Sequence, residues 1–222
     1  MNTEYDLVVI GGGPGGYVAA IRAGQLGLKT AVIDKERLGG ICLNWGCIPT
    51  KSLLKNAEIY DNIKNHGAEF GIGFKDLTFD FSKIIGRSRD ISEKISKNVE
   101  MLIKKNKIER IRATAKLNKD KSISLIDETG KETSKISAKS VVIATGARPR
   151  FVPSIPVDRK RIITSSEAMT LPALPKSLVV IGAGAIGVEF SYFYSVLGTK
   201  VTIIEMLDTI LPIEDKEVSQ TL

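Results

Sequence analysis

The residues with the clearest chemical potential are Cys42 and Cys47, the only two cysteines in a chain of 222 residues. Two isolated cysteines with four residues between them suggest a redox pair, because the chain offers no disulfide framework and a single histidine outside the segment cannot complete a zinc site. A regular helix would hold the two too far apart for a disulfide bond, but Gly46 between them and Gly39 and Gly40 before them relax the backbone. The alternative is a pair of buried, unreactive cysteines.

The segment before the cysteines predicts the elements that would position them. Residues 7–10 form a continuous apolar run, typical of a parallel strand buried on both faces. A glycine-rich turn follows, residues 17–26 predict a helix rich in small residues, and residues 30–33 predict a second strand that ends at Asp34. The order strand, glycine turn, helix, strand and acid is the dinucleotide-binding pattern in its required context.

Each glycine of this pattern has a physical task. Gly11 makes the tight turn, Gly13 lets the backbone approach a pyrophosphate, and Gly16 lets the helix pack closely on the strand. The helix N-terminus then presents free N–H groups and a positive dipole to the phosphates. Asp34, 23 positions after Gly11, is placed to hydrogen-bond the ribose of an adenosine.

The same construction occurs a second time. Residues 7–34 and 178–205 align without a gap and are identical at eleven of 28 positions. Two matched units imply two dinucleotides. Glu205 occupies the position of Asp34 and favours NAD, because its carboxylate suits a free 2′-hydroxyl and would repel the 2′-phosphate of NADP. The three glycines recur as Gly182, Gly184 and Gly187.

Between the two units the chain makes a long excursion. Residues 48–65 predict a helix that ends at His66, and residues 82–105 predict a longer helix. Residues 108–136 predict a small antiparallel sheet of short strands, and residues 140–144 another buried strand. Three prolines after residue 148 predict a domain boundary there.

Two nucleotide sites and one cysteine pair suggest an electron path. NADH donates two electrons as a hydride and a disulfide accepts two, but the two need a mediator, and a flavin can act as one. We therefore assign FAD to the first unit, since the cysteine segment begins five residues after Asp34, and NAD to the second. Lys51, just beyond Cys47, could supply positive charge near a flavin or a thiolate; the alternative is an ordinary surface lysine.

Composition excludes several other functions. The chain is 43% hydrophobic and 26% charged, as is usual for a soluble globular protein. The net charge of +7 comes from scattered lysines without interleaved aromatic residues, which favours a solvated basic surface over a nucleic-acid site. No apolar run is long enough to span a membrane and the N-terminus does not resemble a signal peptide, so we expect a cytoplasmic protein.

Residues 39–51, with the sequence GGICLNWGCIPTK, resemble the active-site signature of the class I pyridine nucleotide–disulfide oxidoreductases. Three further motifs stand in the family's order: the first glycine pattern, the crossing ATGARP at residues 144–149, and the second glycine pattern. The resemblance implies an α/β fold. It consists of a Rossmann-like FAD-binding domain (1–148) with a helical and antiparallel-sheet excursion, then the first half of a Rossmann-like NAD-binding domain (149–222).

The resemblance also implies residue roles. Cys42 would exchange with a dithiol or disulfide substrate and Cys47 would face the flavin, while Lys51 and Glu189 would pair near the junction of flavin and nicotinamide. Ala115 stands where many relatives carry glycine, in a segment whose backbone would meet the adenine. No metal site is expected. The implied cofactor contacts are Gly11, Gly13, Pro14, Gly15, Gly16, Asp34, Lys35, Gly40, Cys42, Lys51, Ala115, Thr145, Gly146, Gly182, Gly184, Ile186, Gly187, Glu189 and Glu205.

The cysteine segment is most similar to the family members that oxidise dihydrolipoyl groups. The implied activity is therefore NAD-dependent oxidation of dihydrolipoyl groups, with the lipoyl domain of a 2-oxo acid dehydrogenase or glycine-cleavage complex as partner. Members of the family are about twice as long, so we expect a fragment that lacks the His-Glu acid/base and the dimer domain of a homodimer. The alternatives are a glutathione or mercuric reductase, or a non-catalytic FAD- and NAD-binding piece.

Overall fold

The computed structural model describes residues 3–222. It divides into two compact units: unit 1 comprises the described part of Met1–Cys47 together with Ile91–Arg148, and unit 2 comprises Ile48–Asp90 together with Pro149–Leu222. The chain passes between the units at three places, one of them after Arg148. Residues 48–90 belong to unit 2, and the assignment of residues 1–148 and 149–222 to two domains stays a prediction.

Unit 1 is built on a six-stranded sheet with the strand order β3-β2-β1-β6-β5-β4. β2 and β6 flank β1 in parallel, β3 is parallel to β2, and β5 is antiparallel to both of its neighbours, β4 and β6. The fold class is therefore α/β with a mostly parallel sheet, as predicted. The strands are β1 (Thr3–Ile10), β2 (Thr30–Ile33), β3 (Glu109–Ile111), β4 (Thr114–Leu117), β5 (Ile123–Ile126) and β6 (Glu132–Ile143).

Four helices lie between the first and third strands in the chain, and the parts of the third and fourth helices that fall within residues 48–90 belong to unit 2. Helix α1 is the crossover between β1 and β2, and it packs on both. Residue bounds of the two long helices agree with the prediction to within one or two residues, including the end of α3 at His66. The helices are α1 (Pro14–Gln25), α2 (Gly40–Trp45), α3 (Cys47–His66) and α4 (Phe81–Lys105), and a 3-10 turn (Gly67–Phe70) follows α3.

The antiparallel strands differ from the prediction in how they join the sheet. Strand β6 is one continuous strand whose first half pairs with β5 and whose second half pairs with β1, with Ile136 paired on both sides. The predicted separate sheet and the predicted strand 140–144 are therefore parts of one structure. Strand β3, expected to be antiparallel, is parallel to β2. The core beneath this sheet consists of Tyr5, Val8, Ile10, Ala31, Ile33, Ile123, Leu125 and Ile136.

Unit 2 contains a parallel pair of strands with a helix between them. β7 (Ser177–Ile181) pairs with β8 (Lys200–Ile204), and α6 (Ala185–Val196) connects them. Aromatic residues of α6 pack with α3 residues in a buried cluster around Phe193, Tyr194 and Leu53. Two short helices, α5 (Ser165–Ala168) and α7 (Lys216–Thr221), complete the unit.

The glycine turns of the two units have the same backbone geometry. Gly11 has φ 105° and Gly182 has φ 101°, a left-handed conformation that favours glycine. The amide of Gly11 donates to the Ile33 carbonyl at 2.8 Å, and that of Gly182 donates to the Ile204 carbonyl at 2.8 Å. The internal repeat found in the sequence is therefore a structural repeat.

The third glycine of each turn provides close packing between helix and strand. A methyl group on Gly16 would overlap the carbonyl oxygen of Gly11, and one on Gly187 would overlap that of Gly182. Side chains are excluded at both positions because the helix begins directly against the preceding turn. The role that the sequence assigned to Gly16 agrees with this geometry.

A pair of alanine substitutions tests this packing. Gly16→Ala should lower the free energy of unfolding by about 2–3 kcal/mol, because the new methyl group meets rigid backbone. Gly15→Ala is the matched control: its methyl group would lie 4.0 Å from the Ala144 Cβ, so helix propensity should leave stability unchanged or raise it by up to about 1 kcal/mol. Urea unfolding without nucleotide measures both, and equal losses would contradict the overlap at Gly16.

Candidate redox and dinucleotide sites

The predicted contacts Gly11 and Asp34 lie at one edge of the sheet of unit 1, together with Arg112 and Ala144, which sequence analysis did not select as contacts. Gly11, Asp34, Arg112 and Ala144 each directly follow a parallel strand: β1, β2, β3 and β6, respectively. The ends of parallel strands form the crevice in which doubly wound α/β proteins bind ligands. The sheet order therefore brings together residues that are more than 100 positions apart in the sequence.

Asp34 is held by the glycine turn. Its Oδ2 accepts a hydrogen bond from the Gly12 amide at 2.6 Å, and its Oδ1 accepts one from the Glu36 amide at 2.8 Å. A carboxylate has about four acceptor sites, so each oxygen keeps capacity for another donor. The geometry fits a residue that is fixed in place and still able to accept from a ribose diol.

A cavity of about 330 Å³ is lined in part by the two residues that follow Asp34 in the chain, Lys35 and Glu36. Lys35, predicted as a cofactor contact, lines it, and so do Ala113 and Thr114 of the segment expected to meet an adenine. Ala115 instead pairs with Leu125 in the ladder of β4 and β5. The cavity is further lined by Glu36, Arg112, Ile126, Asp127 and Glu128, which sequence analysis did not single out.

The start of α1 has the features of an anion-binding helix terminus. Gly13 is the N-cap and provides no side-chain cap, and Pro14 occupies the first turn. Pro14 has no N–H group, and the first-turn N–H of Gly15 has no side-chain cap; such uncapped first-turn N–H groups are the ones that bind phosphate. No side chain stands at Gly13 or Gly15 to fill the space in front of them.

Thr145 and Gly146 extend the same edge after β6. Both are exposed, and Gly146 has φ 71°. Two residues later, Arg148 donates to the Glu36 carboxylate at 2.8 Å. This ion pair connects the segment after β6 with the segment after β2, where the cavity is found.

The cysteines lie on either side of a break between two helices. α2 ends at Trp45, Gly46 has φ −147° and ψ −120°, and α3 begins at Cys47. The two thiols form a close pair across this break. The backbone distortion expected at Gly46 is therefore present. Cys42 is half-buried and Cys47 is exposed, which disfavours a pair of buried, unreactive cysteines.

Burial raises the pKa of the Cys42 thiol to about 11, and the neighbouring Cys47 thiol adds to the shift. A raised pKa means that Cys42 carries its proton at neutral pH. The thiolate is the reactive form of cysteine, so Cys42 needs a base before its sulfur can attack.

Unit 2 contains the predicted pair of Lys51 and Glu189. The ammonium group of Lys51, one turn after the start of α3, donates to the Glu189 carboxylate in the first turns of α6. The Lys51 side chain is 65% exposed and that of Glu189 30%. The pairing is present as expected, while its role beside a flavin stays a prediction.

Glu205 repeats the arrangement of Asp34. Its Oε2 accepts from the Ala183 amide at 2.7 Å, and its Oε1 accepts from the amides of Met206 and Leu207. These backbone donors, Ala183 first, lower the pKa of the carboxyl, so Glu205 is charged at neutral pH. Gly184 is the N-cap of α6 without a side-chain cap, and Ile186 is exposed in its first turn.

A glycine turn with a fixed acid beside a cysteine pair in unit 1, and a second such turn in unit 2, define the class of dinucleotide-binding redox proteins with a dithiol–disulfide centre. Residues 5–222 match the family described as pyridine nucleotide-disulphide oxidoreductase. The chain belongs to this family. The cofactors expected from the sequence, FAD and NAD, are those that its members use.

Curated relatives are similar in sequence to the chain over nearly its whole length. It is 47% identical over 221 residues to a dihydrolipoyl dehydrogenase of Chlorobaculum parvum, covering 100% of the chain and 47% of the relative. A dihydrolipoyl dehydrogenase of Zymomonas mobilis is 49% identical over 219 residues, 99% of the chain and 47% of the relative. One of Bacillus subtilis is 43% identical over 229 residues, 100% of the chain and 48% of the relative. The chain thus spans about half the length of these relatives.

Metal-ligand clusters and membrane-spanning helices were also sought among the described residues. Among residues 3–222, no group of three or more potential ligands is arranged to hold a metal ion. No helix in this part of the chain is both long and apolar enough to cross a bilayer. His66, the single histidine, ends α3 and lies 3.1 Å from the Glu69 carboxylate at the surface.

The raised pKa of Cys42 predicts a distinct pH profile for its alkylation. In the dithiol form, the rate of iodoacetamide addition to Cys42 should rise roughly tenfold per pH unit and level off near pH 11, because the thiolate fraction sets the rate. Cys47→Ala should move the profile to lower pH, though only in part, since burial is the larger cause. Mass spectrometry of quenched samples gives the rates, and a plateau below pH 9 would rule out the raised pKa.

Proposed function

We propose that this chain supplies the FAD-binding region, the redox cysteines and the first part of the NAD-binding region of an NAD-dependent dihydrolipoyl dehydrogenase. The main observation in support of the proposal is that the Cys42 and Cys47 thiols form a close pair across the break at Gly46. The same unit holds a nucleotide-type glycine turn. The relatives named dihydrolipoyl dehydrogenase support the choice of activity.

FAD fits the residues of unit 1. The glycine turn leaves N–H groups without a side-chain cap for a pyrophosphate, and Asp34 keeps acceptor sites for a ribose. The cavity lined by Lys35 and Ala113 begins at the residue after Asp34. These contacts match the chemistry of an adenosine diphosphate group. When bound, FAD would supply the two-electron link between the cysteines and a nicotinamide.

The cysteine couple would carry the exchange with substrate. In the proposed reaction, a dihydrolipoyl dithiol transfers two electrons and two protons to the Cys42–Cys47 disulfide and leaves as the cyclic lipoyl disulfide. Cys42 would form the mixed disulfide and Cys47 would be released toward the cofactor, as the family resemblance implies. The raised pKa of Cys42 means that a base must assist at its sulfur. The resemblance assigns that task to a His-Glu pair, and His66, paired with Glu69 at the surface, does not match it.

Lys51 and Glu189 would support the cofactor junction. Their ion pair fixes a positive charge next to the start of α6, the helix whose N-terminus follows the second glycine turn. Such a charge would stabilise an anionic reduced cofactor or thiolate. The proposed partner is the lipoyl domain of a 2-oxo acid dehydrogenase or glycine-cleavage complex, within a homodimeric, cytoplasmic enzyme.

Thiol counting with substrate tests the proposal. The purified protein is loaded with FAD and mixed anaerobically with dihydrolipoamide, and its free thiols are alkylated and counted by mass spectrometry. We expect two thiols to appear on Cys42 and Cys47 and the flavin absorbance to bleach, with both changes absent in Cys47→Ser. Reduction by glutathione but not by dihydrolipoamide would favour a glutathione reductase. FAD binding without any thiol change would favour a non-catalytic binding module.

Charge at Glu205 should determine the choice of pyridine nucleotide. Glu205→Ala should reduce the preference for NADH over NADPH by about tenfold or more, because the carboxylate that repels a 2′-phosphate is lost. Steady-state kcat/KM for both nucleotides measures the change. Glu217→Ala removes the same charge from α7 and serves as the control. An unchanged preference in Glu205→Ala would show that other residues select the nucleotide.

A further inference from the structure

The carbonyl of Leu38 is held by two buried side chains from different elements. Ser96 of α4 donates its hydroxyl to the Leu38 oxygen at 2.7 Å, and the Asn44 amide donates to the same oxygen at 3.1 Å. Asn44 also donates to the Gly40 carbonyl at 3.0 Å. Leu38 is fully buried, Asn44 is 7% exposed and Ser96 is 3% exposed.

These bonds hold the segment that connects the glycine turn to the cysteine helix. The amide of Gly39 donates to the Gly12 carbonyl at 2.8 Å. A Cβ on Gly40 would lie 2.6 Å from the Gly13 Cα, so the two backbones are in direct contact. Gly39 and Gly40 have φ 105° and 58°, so the backbone is left-handed directly after Leu38. Because this backbone is neither regular helix nor strand, side chains satisfy the buried Leu38 carbonyl.

Asn44 and Ser96 are unusual residues for such buried positions. A buried amide or hydroxyl is costly unless it is hydrogen-bonded, and an apolar residue of the same size would fill the space without that cost. Neither residue contributes to the dinucleotide contacts or to the thiol chemistry proposed above. Asn44 lies between the two cysteines in sequence, and all of these residues belong to unit 1.

We propose that Asn44 and Ser96 are positioning residues of the cysteine couple. By bonding the Leu38 carbonyl, and in the case of Asn44 also that of Gly40, they fix the start of α2 against the glycine turn. They thereby hold Cys42 next to Cys47, where the disulfide forms. The inference rests on the proposed function, since it requires that the two cysteines act as a redox couple.

The expected consequence is a shift in the redox equilibrium. The stability of a disulfide relative to its dithiol follows the effective concentration of one thiol at the other, which falls when the chain between them gains freedom. Loss of the hydrogen bonds should therefore favour the dithiol. Asn44→Leu, which removes the amide donors to Leu38 and Gly40 at similar side-chain size, should lower the equilibrium constant for disulfide formation about tenfold, which corresponds to about 30 mV.

The experiment equilibrates the purified protein in anaerobic buffers of reduced and oxidised glutathione. Two glutathione thiols donate two electrons and two protons to the Cys42–Cys47 disulfide and leave as glutathione disulfide, so the dithiol fraction gives the equilibrium constant. Alkylation and mass spectrometry measure that fraction without relying on activity. Asn106→Ala is the control, because the Asn106 amide also donates to the carbonyl four residues earlier, at 2.8 Å, near the end of α4.

A second pair of variants separates the hydroxyl from side-chain shape. Ser96→Thr and Ser96→Val have the same shape, and only Thr keeps the donor to Leu38. We expect Ser96→Val to favour the dithiol about fivefold more than Ser96→Thr does, because one hydrogen bond is lost. The comparison within this pair keeps the test decisive even if Asn44→Leu does not fold.

Three outcomes would contradict the inference, and they can be told apart. A wild-type couple that titrates normally, with less than a twofold difference between Ser96→Thr and Ser96→Val, would remove the positioning role and leave the proposed function intact. A wild-type protein in which Cys42 and Cys47 form no two-electron couple would overturn both. Equal shifts in Asn44→Leu and Asn106→Ala would also argue against a specific role.

Discussion

The contact between two glycine-rich segments, Gly12-Gly13 and Gly39-Gly40, is the constraint on which the site of unit 1 depends. Gly39 donates to the Gly12 carbonyl, and Gly40 lies so close to Gly13 that no side chain fits between them. One of these segments forms the nucleotide-type turn and the other begins the cysteine helix. Backbone contact at this point therefore connects the proposed phosphate-binding turn to the thiol pair without any intervening side chain.

The two glycine turns are alike in backbone geometry and differ in the strands that surround them. The turns share the φ angle of their first glycine and the hydrogen bond that this glycine donates to the second strand. In both turns the amide of the next residue donates to the acid after the second strand. They differ in their neighbours: a Cβ on Gly11 would overlap the Ala144 carbonyl after β6, whereas the space around Gly182 is open. Among the described strands, β7 pairs only with β8, and Val179 and Ile181 are more than half exposed.

The sequence was sufficient to predict the features that depend on local patterns. Both glycine turns, the long helices and the break at Gly46 follow from residue type and spacing, and the partnership of Lys51 with Glu189 followed from family resemblance. The continuous strand β6 could not be predicted, because residues 132–140 are mostly polar and only Val141, Val142 and Ile143 form the apolar run typical of a buried parallel strand. The two ends of the strand therefore resemble different elements. The bond from Ser96 to Leu38 spans 58 residues, and no local pattern indicates that a serine in a long helix will meet that carbonyl.

The half-buried, protonated state of Cys42 has a consequence for chemical durability. Hydrogen peroxide oxidises thiolates far faster than thiols, and repeated oxidation of one sulfur ends in irreversible sulfinic and sulfonic acids. A cysteine whose pKa is held near 11 presents very little thiolate at neutral pH. Any first oxidation product at either sulfur also has a second thiol in contact with it, which converts it to a disulfide and returns the centre to its reversible cycle.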